Sequence, residues 1–407
     1  MGPGDQSTRM VTLTVLEEQE TSCVQAVILA REAELGGRPP AALITLADRL
    51  EAQPGLSAWF VDRSRPPALP ASIAERFIHA PMPAQAGYSS PPASLVEVLA
   101  RAGMACPERL DASIHAWLDV FSLIKPALLV CQQAPIAVLA ARMMDLPVVH
   151  FGPGWSIGLE PLAFRPWSGK PSQDDAGMDA LLASINTVLG RHGQSALQHP
   201  GQLFGAVDHA LIQGWPALDP DSRCDRARYT GCWPAAPMTP ARREPGRKLR
   251  ILAILENRRE LRNLLAWLAD EDCECCLDLP PTAVETARHF TGAAMTLRAN
   301  PPTQNDELDV DLVVCHGQHE AVMEALGAGR PLLILPQSPL EKRLASQLEA
   351  LGLAVILSSP AKPADWHAAL ASMVQDTTIQ QRALAWAQQH SVALADPVQH
   401  ITRLCQG

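Results

Sequence analysis

Asp309–Leu357 reads DVDLVVCHGQHEAVMEALGAGRPLLILPQSPLEKRLASQLEALGLAVIL. Short apolar runs alternate here with longer amphipathic ones. The pattern predicts strands at Val310–Cys315, Pro331–Leu335 and Ala354–Leu357, with helices at Glu320–Leu326 and Glu341–Leu351 between them. Strands alternating with helices form a parallel sheet covered on both faces. Ligands of such sheets bind beyond the carboxyl ends of the strands. His316-Gly317 falls at one of these ends. The helix that follows points its first amides into the same space, a natural cradle for a diphosphate.

The same alternation extends outward in both directions. Downstream, the tail from Ala364 to Cys405 reads as helices. Upstream, strands are expected at Leu249–Leu255, Glu274–Leu279 and Ala294–Leu297, with a helix at Arg259–Ala269. Pro234–Arg247 (PAAPMTPARREPGR) holds four prolines and no apolar periodicity, which marks a linker. Before it, Met10–Leu16 reads as a strand, Val24–Leu35 as a helix ended by Gly36-Gly37, and Ala41–Thr45 as a weaker strand. Helices are expected at Ser94–Gly103, Glu108–Leu123 and Ile136–Met144. Strong strands are expected at Ala127–Cys131 and Pro147–Phe151, and Met178–Arg191 and His209–Ile212 continue the alternation. The expected organisation is a Rossmann-like domain over 1–233, a linker over 234–247 and a second Rossmann-like domain over 248–407.

Composition agrees. The chain has 407 residues, 47% of them hydrophobic and 19% charged, enough to bury large cores and too apolar for disorder. The net charge of −10 argues against a broad electrostatic grip on nucleic acid. No uncharged apolar run approaches the ~20 residues a membrane span requires, and the N-terminus lacks a secretory h-region. Of the ten cysteines, Cys131 and Cys315 sit in apolar strands, and the one cluster, Cys273, Cys275 and Cys276, has no second ligand pair at zinc spacing. Reduced thiols and a cytoplasmic location are expected.

The quoted stretch resembles the donor-binding signature of UDP-glycosyltransferases of the GT-B fold, H-G-G-A-G-T-x-x-E-A-L-x-x-G-x-P followed by P-Q. His316, Gly317, Glu324, Ala325, Leu326, Gly329, Pro331, Pro336 and Gln337 stand at matching positions. Leu123–Phe151 resembles the strand, helix and strand of the family's acceptor domain. Phe151–Trp155 (FGPGW) resembles the glycine loop after it, and Gln213–Gly231 the approach to the interdomain linker. The resemblance implies an α/β GT-B fold, two Rossmann-like domains facing across a cleft. It implies inverting, metal-free transfer of a sugar from a nucleotide donor, a UDP-sugar, to a hydroxyl acceptor. Donor binding would fall to His316, Gly317, Gln318, His319, Gln337 and Glu341, and the acceptor side to Gly152, Gly154 and Trp155.

Three departures bear on activity. The family carries G-G-x-G-H after its first strand, and the His is the general base. Here Leu16–Gln25 (LEEQETSCVQ) has neither glycine nor histidine, leaving Glu18, Glu20 and Ser22 as replacement bases. A glycine-free turn predicts a helix starting near Glu20–Ser22. The donor loop's G-A-G-T is replaced by Gln318-His319-Glu320-Ala321, which puts a carboxylate near any diphosphate. A protonated His319 would offset part of it. The Asp-Gln pair that faces the donor sugar is replaced by Leu340-Glu341. Two readings follow: a glycosyltransferase with an unusual donor or a rebuilt catalytic centre, whose ordinary transfer to a simple hydroxyl is expected to be very weak or absent, or a catalytically degenerate homologue that serves as a binding or partner subunit.

Overall fold

The computed structural model describes residues 24–32, 40–81, 92–156, 166–167, 175–205, 209–219, 227–234, 246–292, 294–298, 309–358, 360–391 and 394–406. Two parallel sheets organise them. The first contains β1 (Gln25–Ala30), β2 (Leu56–Asp62), β3 (Phe77–His79), β4 (Leu128–Cys131), β5 (Val148–Pro153), β6 (His209–Gln213) and β7 (Ala227–Gly231), in the order β3-β2-β1-β4-β5-β6-β7. The second contains β8 (Leu249–Ile254), β9 (Cys273–Asp278), β10 (Met295–Leu297), β11 (Leu312–Cys315), β12 (Leu332–Ile334) and β13 (Ala354–Ile356), in the order β10-β9-β8-β11-β12-β13. Both are doubly wound. Strand order reverses between β1 and β4 in one and between β8 and β11 in the other, and these switch points open crevices at the carboxyl ends.

Burial explains the strand sequences. β4 (LLVC) and β11 (LVVC) are buried at every residue, as expected for strands covered on both faces by helices. In the first half, Ile28, Leu129 and Cys131 face a cluster with Trp117, Ile136 and Ile185. Val27, Leu29, Val130 and Val149 face the opposite one, with Leu43 and Leu46. The C-terminal tail forms helices Pro363–Gln375, Thr377–Gln389 and Pro397–Gln406. The last of these returns to the first half, where Val398, Ile401 and Cys405 join the cluster beneath helix Ala41–Glu51.

Most expected elements are present, with ends shifted by a few residues, and three expectations need correction. Val24–Leu35 does not form the expected helix: Gln25–Ala30 is the central strand β1, paired with β2 and β4. The run QAVILA is too short and too uniformly apolar for periodicity to decide its state. Ala41–Thr45 is the start of helix Ala41–Glu51 rather than a strand. Strands β2, β3 and β7 were not anticipated. The expected strand Met10–Leu16, the helix start at Glu20–Ser22 and most of the 234–247 linker lie outside the described residues. Among the described residues, no helix is long and apolar enough to cross a membrane.

Candidate functional site

The crevice at the second sheet's switch point is built by three strand ends. After β8 come Glu256, Asn257 and Arg258; after β11, His316, Gly317 and Gln318; after β12, Leu335, Pro336, Gln337 and Ser338. His316 is fully buried, and its Nδ1 donates to the Leu335 carbonyl at 3.1 Å, tying the β11 turn to the β12 turn. Gly317 takes φ +91°, and a Cβ there would come 3.2 Å from Ile334 Cγ2. Both the left-handed backbone and the close approach demand glycine. Gly317→Ala is therefore expected to destabilise the chain by about 1–3 kcal/mol, readable as a lowered urea midpoint; an unchanged midpoint contradicts this.

Helix His319–Gly327 begins over this turn. Its N-cap, Gln318, makes no side-chain cap, so the first-turn amides keep their positive end open. The Gln318 Oε1 instead accepts from the His316 amide at 3.0 Å. Gln318 Nε2 and Gln337 Nε2 are both buried with no hydrogen-bond partner among the described residues. Two amide donors and an uncapped helix start thus lie at the ends of neighbouring strands. His319 is half-buried, and burial holds its imidazole below the ordinary value despite Glu320 and a bond to the Gln213 backbone. The protonated His319 expected to offset Glu320 is therefore not favoured. Glu320 itself is exposed.

Glu341 is differently employed. Ser338 caps helix Pro339–Ala350, accepting from the Glu341 amide at 3.2 Å. Glu341 Oε2 in turn accepts from the Gln337 and Ser338 amides, both at 2.9 Å. The same carboxylate receives Arg258 bidentately, Nη1 to Oε2 at 2.9 Å and Nη2 to Oε1 at 2.6 Å. Arg258 Nε also donates to Glu256 at 2.6 Å. Burial alone would raise the Glu341 value, and Arg258 with the two amides holds it below the usual range instead. Its oxygens are thus committed within the protein. Arg258 was missed by sequence reasoning because 83 residues separate it from Glu341. The Ser-x-x-Glu spacing at 338–341 was a readable signal for the cap.

The residues expected on the acceptor side, Gly152, Gly154 and Trp155, lie at the end of β5 and just after it. A Cβ on Gly152 would come 3.3 Å from Gln132 Cγ, and one on Gly154 would come 3.5 Å from the Asp219 carboxylate, itself held by the Tyr229 hydroxyl at 2.7 Å. Trp155 stands edge-on to Trp167, ring centroids 5.6 Å apart. The two halves touch here. Leu340 packs against the first half's apolar cluster, as does Trp155. A Cβ on Gly214 would lie 3.7 Å from both His319 and Met323. Trp215 and Leu218 are buried in the second half's core.

No family profile and no curated protein matches the sequence. Solved structures do match. VinC, determined in complex with DTDP, is 15% identical with a TM-score of 0.65, over 94% of this chain and 98% of that one. The spinosyn rhamnosyltransferase SpnG is 17% identical with a TM-score of 0.61, over 93% and 99%. SnogD from Streptomyces nogalater is 17% identical with a TM-score of 0.63, over 94% and 99%. The chain has the GT-B glycosyltransferase fold.

In GT-B terms the corrected position of β1 moves the acceptor-side turn. It follows Ala30, not Leu16, so Glu18, Glu20 and Ser22 precede the strand and lie outside the described residues. The chain after β1 reads Arg31-Glu32-Ala33-Glu34-Leu35-Gly36-Gly37-Arg38-Pro39, which has two glycines and still no histidine. Of these, Arg31 and Glu32 are described and buried. Arg31 pairs with Asp62 at 2.9 Å. Glu32 accepts from the Ile136 and Ala137 amides at 2.9 and 2.8 Å, supplying the cap that Ala134 cannot give helix Pro135–Met143. Burial raises its value to about 8 against those two amides. Facing a helix end with both oxygens, Glu32 supports the fold and does not face an acceptor hydroxyl. Cys131 and His150 form a second buried contact, Sγ to Nδ1 at 2.9 Å. Burial raises the thiol and lowers the imidazole to about 3, so this is a neutral pair, not a thiolate–imidazolium one.

Proposed function

We propose that this chain binds a nucleoside diphosphate sugar and transfers the sugar, slowly, to a hydroxyl acceptor. The observation that carries this is the unpartnered Gln318 Nε2 and Gln337 Nε2 at two neighbouring strand ends, with the uncapped start of helix His319–Gly327 beside His316-Gly317. Helix amides and side-chain donors at a strand end suit the two phosphates. They would also stabilise the diphosphate as it departs. VinC and SpnG have each been determined with thymidine diphosphate, so a thymidine nucleotide stands beside uridine as the donor class. The acceptor would lie against Gly152, Gly154 and Trp155. The proposed domains are 1–233 and 248–407, with the linker at 234–247, and the proposed location is the cytoplasm.

A second reading, nucleotide binding without transfer as a partner subunit, is favoured by Glu341 and Leu340. Glu341 is committed to Arg258 and its helix cap, and Leu340 seals an apolar contact between the halves. Neither offers oxygens to sugar hydroxyls. The lack of a histidine in the sequence after β1 argues the same way, since general-base assistance is worth typically ~10²–10⁴-fold.

Thermal unfolding with UDP, TDP and their sugars tests the binding. A nucleotide at one hundred times Kd stabilises by about 2.7 kcal/mol. The rise should shrink in His316→Ala and grow in Glu320→Gly, which removes the opposing charge. No rise with either nucleotide, or equal rises in all three proteins, would remove the diphosphate from this loop. Rapid turnover of a nucleotide sugar would overturn the slow-transfer part alone.

A further inference from the structure

We propose that Asp111, His115 and His192 form a binding site for a divalent transition cation, zinc(II) foremost, on the outer helical layer of the first half. Asp111 and His115 stand four residues apart on helix Pro107–Ile124 and so share one face. His192 follows directly after helix Asp175–Arg191, and the packing of the two helices brings it over that face. The Asp111 Oδ1 receives His192 Nε2 at 2.9 Å and has His115 Nδ1 at 3.6 Å. The imidazoles lie with ring centroids 4.9 Å apart, tilted by 51°. One ligand atom from each residue falls within 4.8 Å of the other two. Zinc bonds of ~2.0–2.1 Å in a tetrahedron set ligand atoms roughly 3.3 Å apart, so the widest separation closes by up to about 1.5 Å while the 2.9 Å Asp111–His192 contact opens slightly as the ion replaces its bridging proton.

The chemistry of the set points to zinc, copper or nickel and away from calcium or magnesium, which prefer all-oxygen shells. Arg191 Nη1 holds the other Asp111 oxygen at 3.0 Å, leaving Oδ1 as a single-oxygen ligand. That arginine also approaches Glu108 at 3.7 Å. The 2.9 Å contact of His115 Nδ1 with the Asp111 carbonyl stays in place if Nε2 is the ligand and is exchanged, by a local ring rotation on the helix surface, if Nδ1 is. Its side chain is 63% exposed, so an ion can enter and keep water in the fourth position. The ion would clamp two helices that the chain separates by 81 residues at the Asp111–His192 contact. The nucleotide crevice plays no part in this.

The full-length reduced chain is titrated with zinc chloride by calorimetry and by thermal unfolding, beside His115→Ala, His192→Ala, Cys275→Ser and the exposed control His289→Ala. One equivalent should bind, raise the unfolding temperature, and weaken at least tenfold in each of the first two variants while the other two match the parent. His115, being exposed, carries the test if His192→Ala folds poorly. Cobalt(II) should give visible d–d bands without a thiolate charge-transfer band. Absence of saturable uptake, undiminished uptake in His115→Ala, loss in Cys275→Ser, or a thiolate band would each overturn the site.

Discussion

Glu341→Ala is expected to cost the folded chain about 3–5 kcal/mol, the usual penalty for removing one partner of a buried ion pair. Two losses coincide at that position. The capping box of helix Pro339–Ala350 loses the acceptor for the Gln337 and Ser338 amides. Arg258, whose side chain is only 19% exposed, loses its bidentate partner. Glu256, which meets the Arg258 Nε and Nη2, is left to hold the charge. Glu341→Gln should cost less, because an amide oxygen still accepts from the cap. Pairing Glu341→Ala with Arg258→Met removes the stranded cation and should recover part of the loss. Urea unfolding of the four proteins measures all of this. A penalty below about 1 kcal/mol for Glu341→Ala would mean that the pair is solvated and the cap dispensable.

The second large effect is a pH dependence centred on Glu32. Its carboxyl is raised by burial from 4.5 to about 8. The folded chain therefore holds this proton more tightly than the unfolded one between those values, and stability declines as pH climbs through them. The stabilisation is complete below about 4.5 and gone above about 8. A gap of 3.5, the difference between 8 and 4.5, corresponds to about 5 kcal/mol over the whole window. Glu32→Gln carries no titrating proton, so its stability profile should be flatter by that amount. Chemical unfolding at intervals from pH 5 to pH 9 tests it. Parallel profiles for the parent and the variant would show that Glu32 stays ionised when folded, with the Ile136 and Ala137 amides outweighing its burial.

The second half of the chain was largely readable, and the first half was readable in kind but not in register. From Val310 to Leu357 each strand is short, apolar and bounded by glycine or proline, so alternation alone gave the right order of elements. His316-Gly317 carried its own evidence, since a strand end followed by a helix start leaves few conformations and one of them needs glycine. QAVILA carried no such evidence. Six apolar-leaning residues fit a helix face or a buried strand equally well, and only pairing with Leu56–Asp62 and Leu128–Cys131 decides between them. That ambiguity displaced the acceptor-side turn by some fifteen residues and sent the search for a base to Glu18, Glu20 and Ser22. The roles of Glu32 and Arg258, and the pairing of Glu341 with Arg258, were invisible for a different reason. Each acts through a partner far along the chain, and no local pattern records which distant amide or guanidinium will meet a given carboxylate.

The return of helix Pro397–Gln406 to the first half bears on how the protein is made. Strand β7 ends at Gly231, yet Val398, Ile401 and Cys405 complete the cluster that covers Val27, Leu29 and Val130. On the ribosome, the first sheet must therefore wait for some 160 further residues before its last apolar surface is covered. During that interval the second sheet, whose strands lie between Leu249 and Ile356, can form from contiguous chain. The order of synthesis and the order of completion are thus opposed. A nascent chain stalled anywhere before Pro397 would leave that apolar face uncovered.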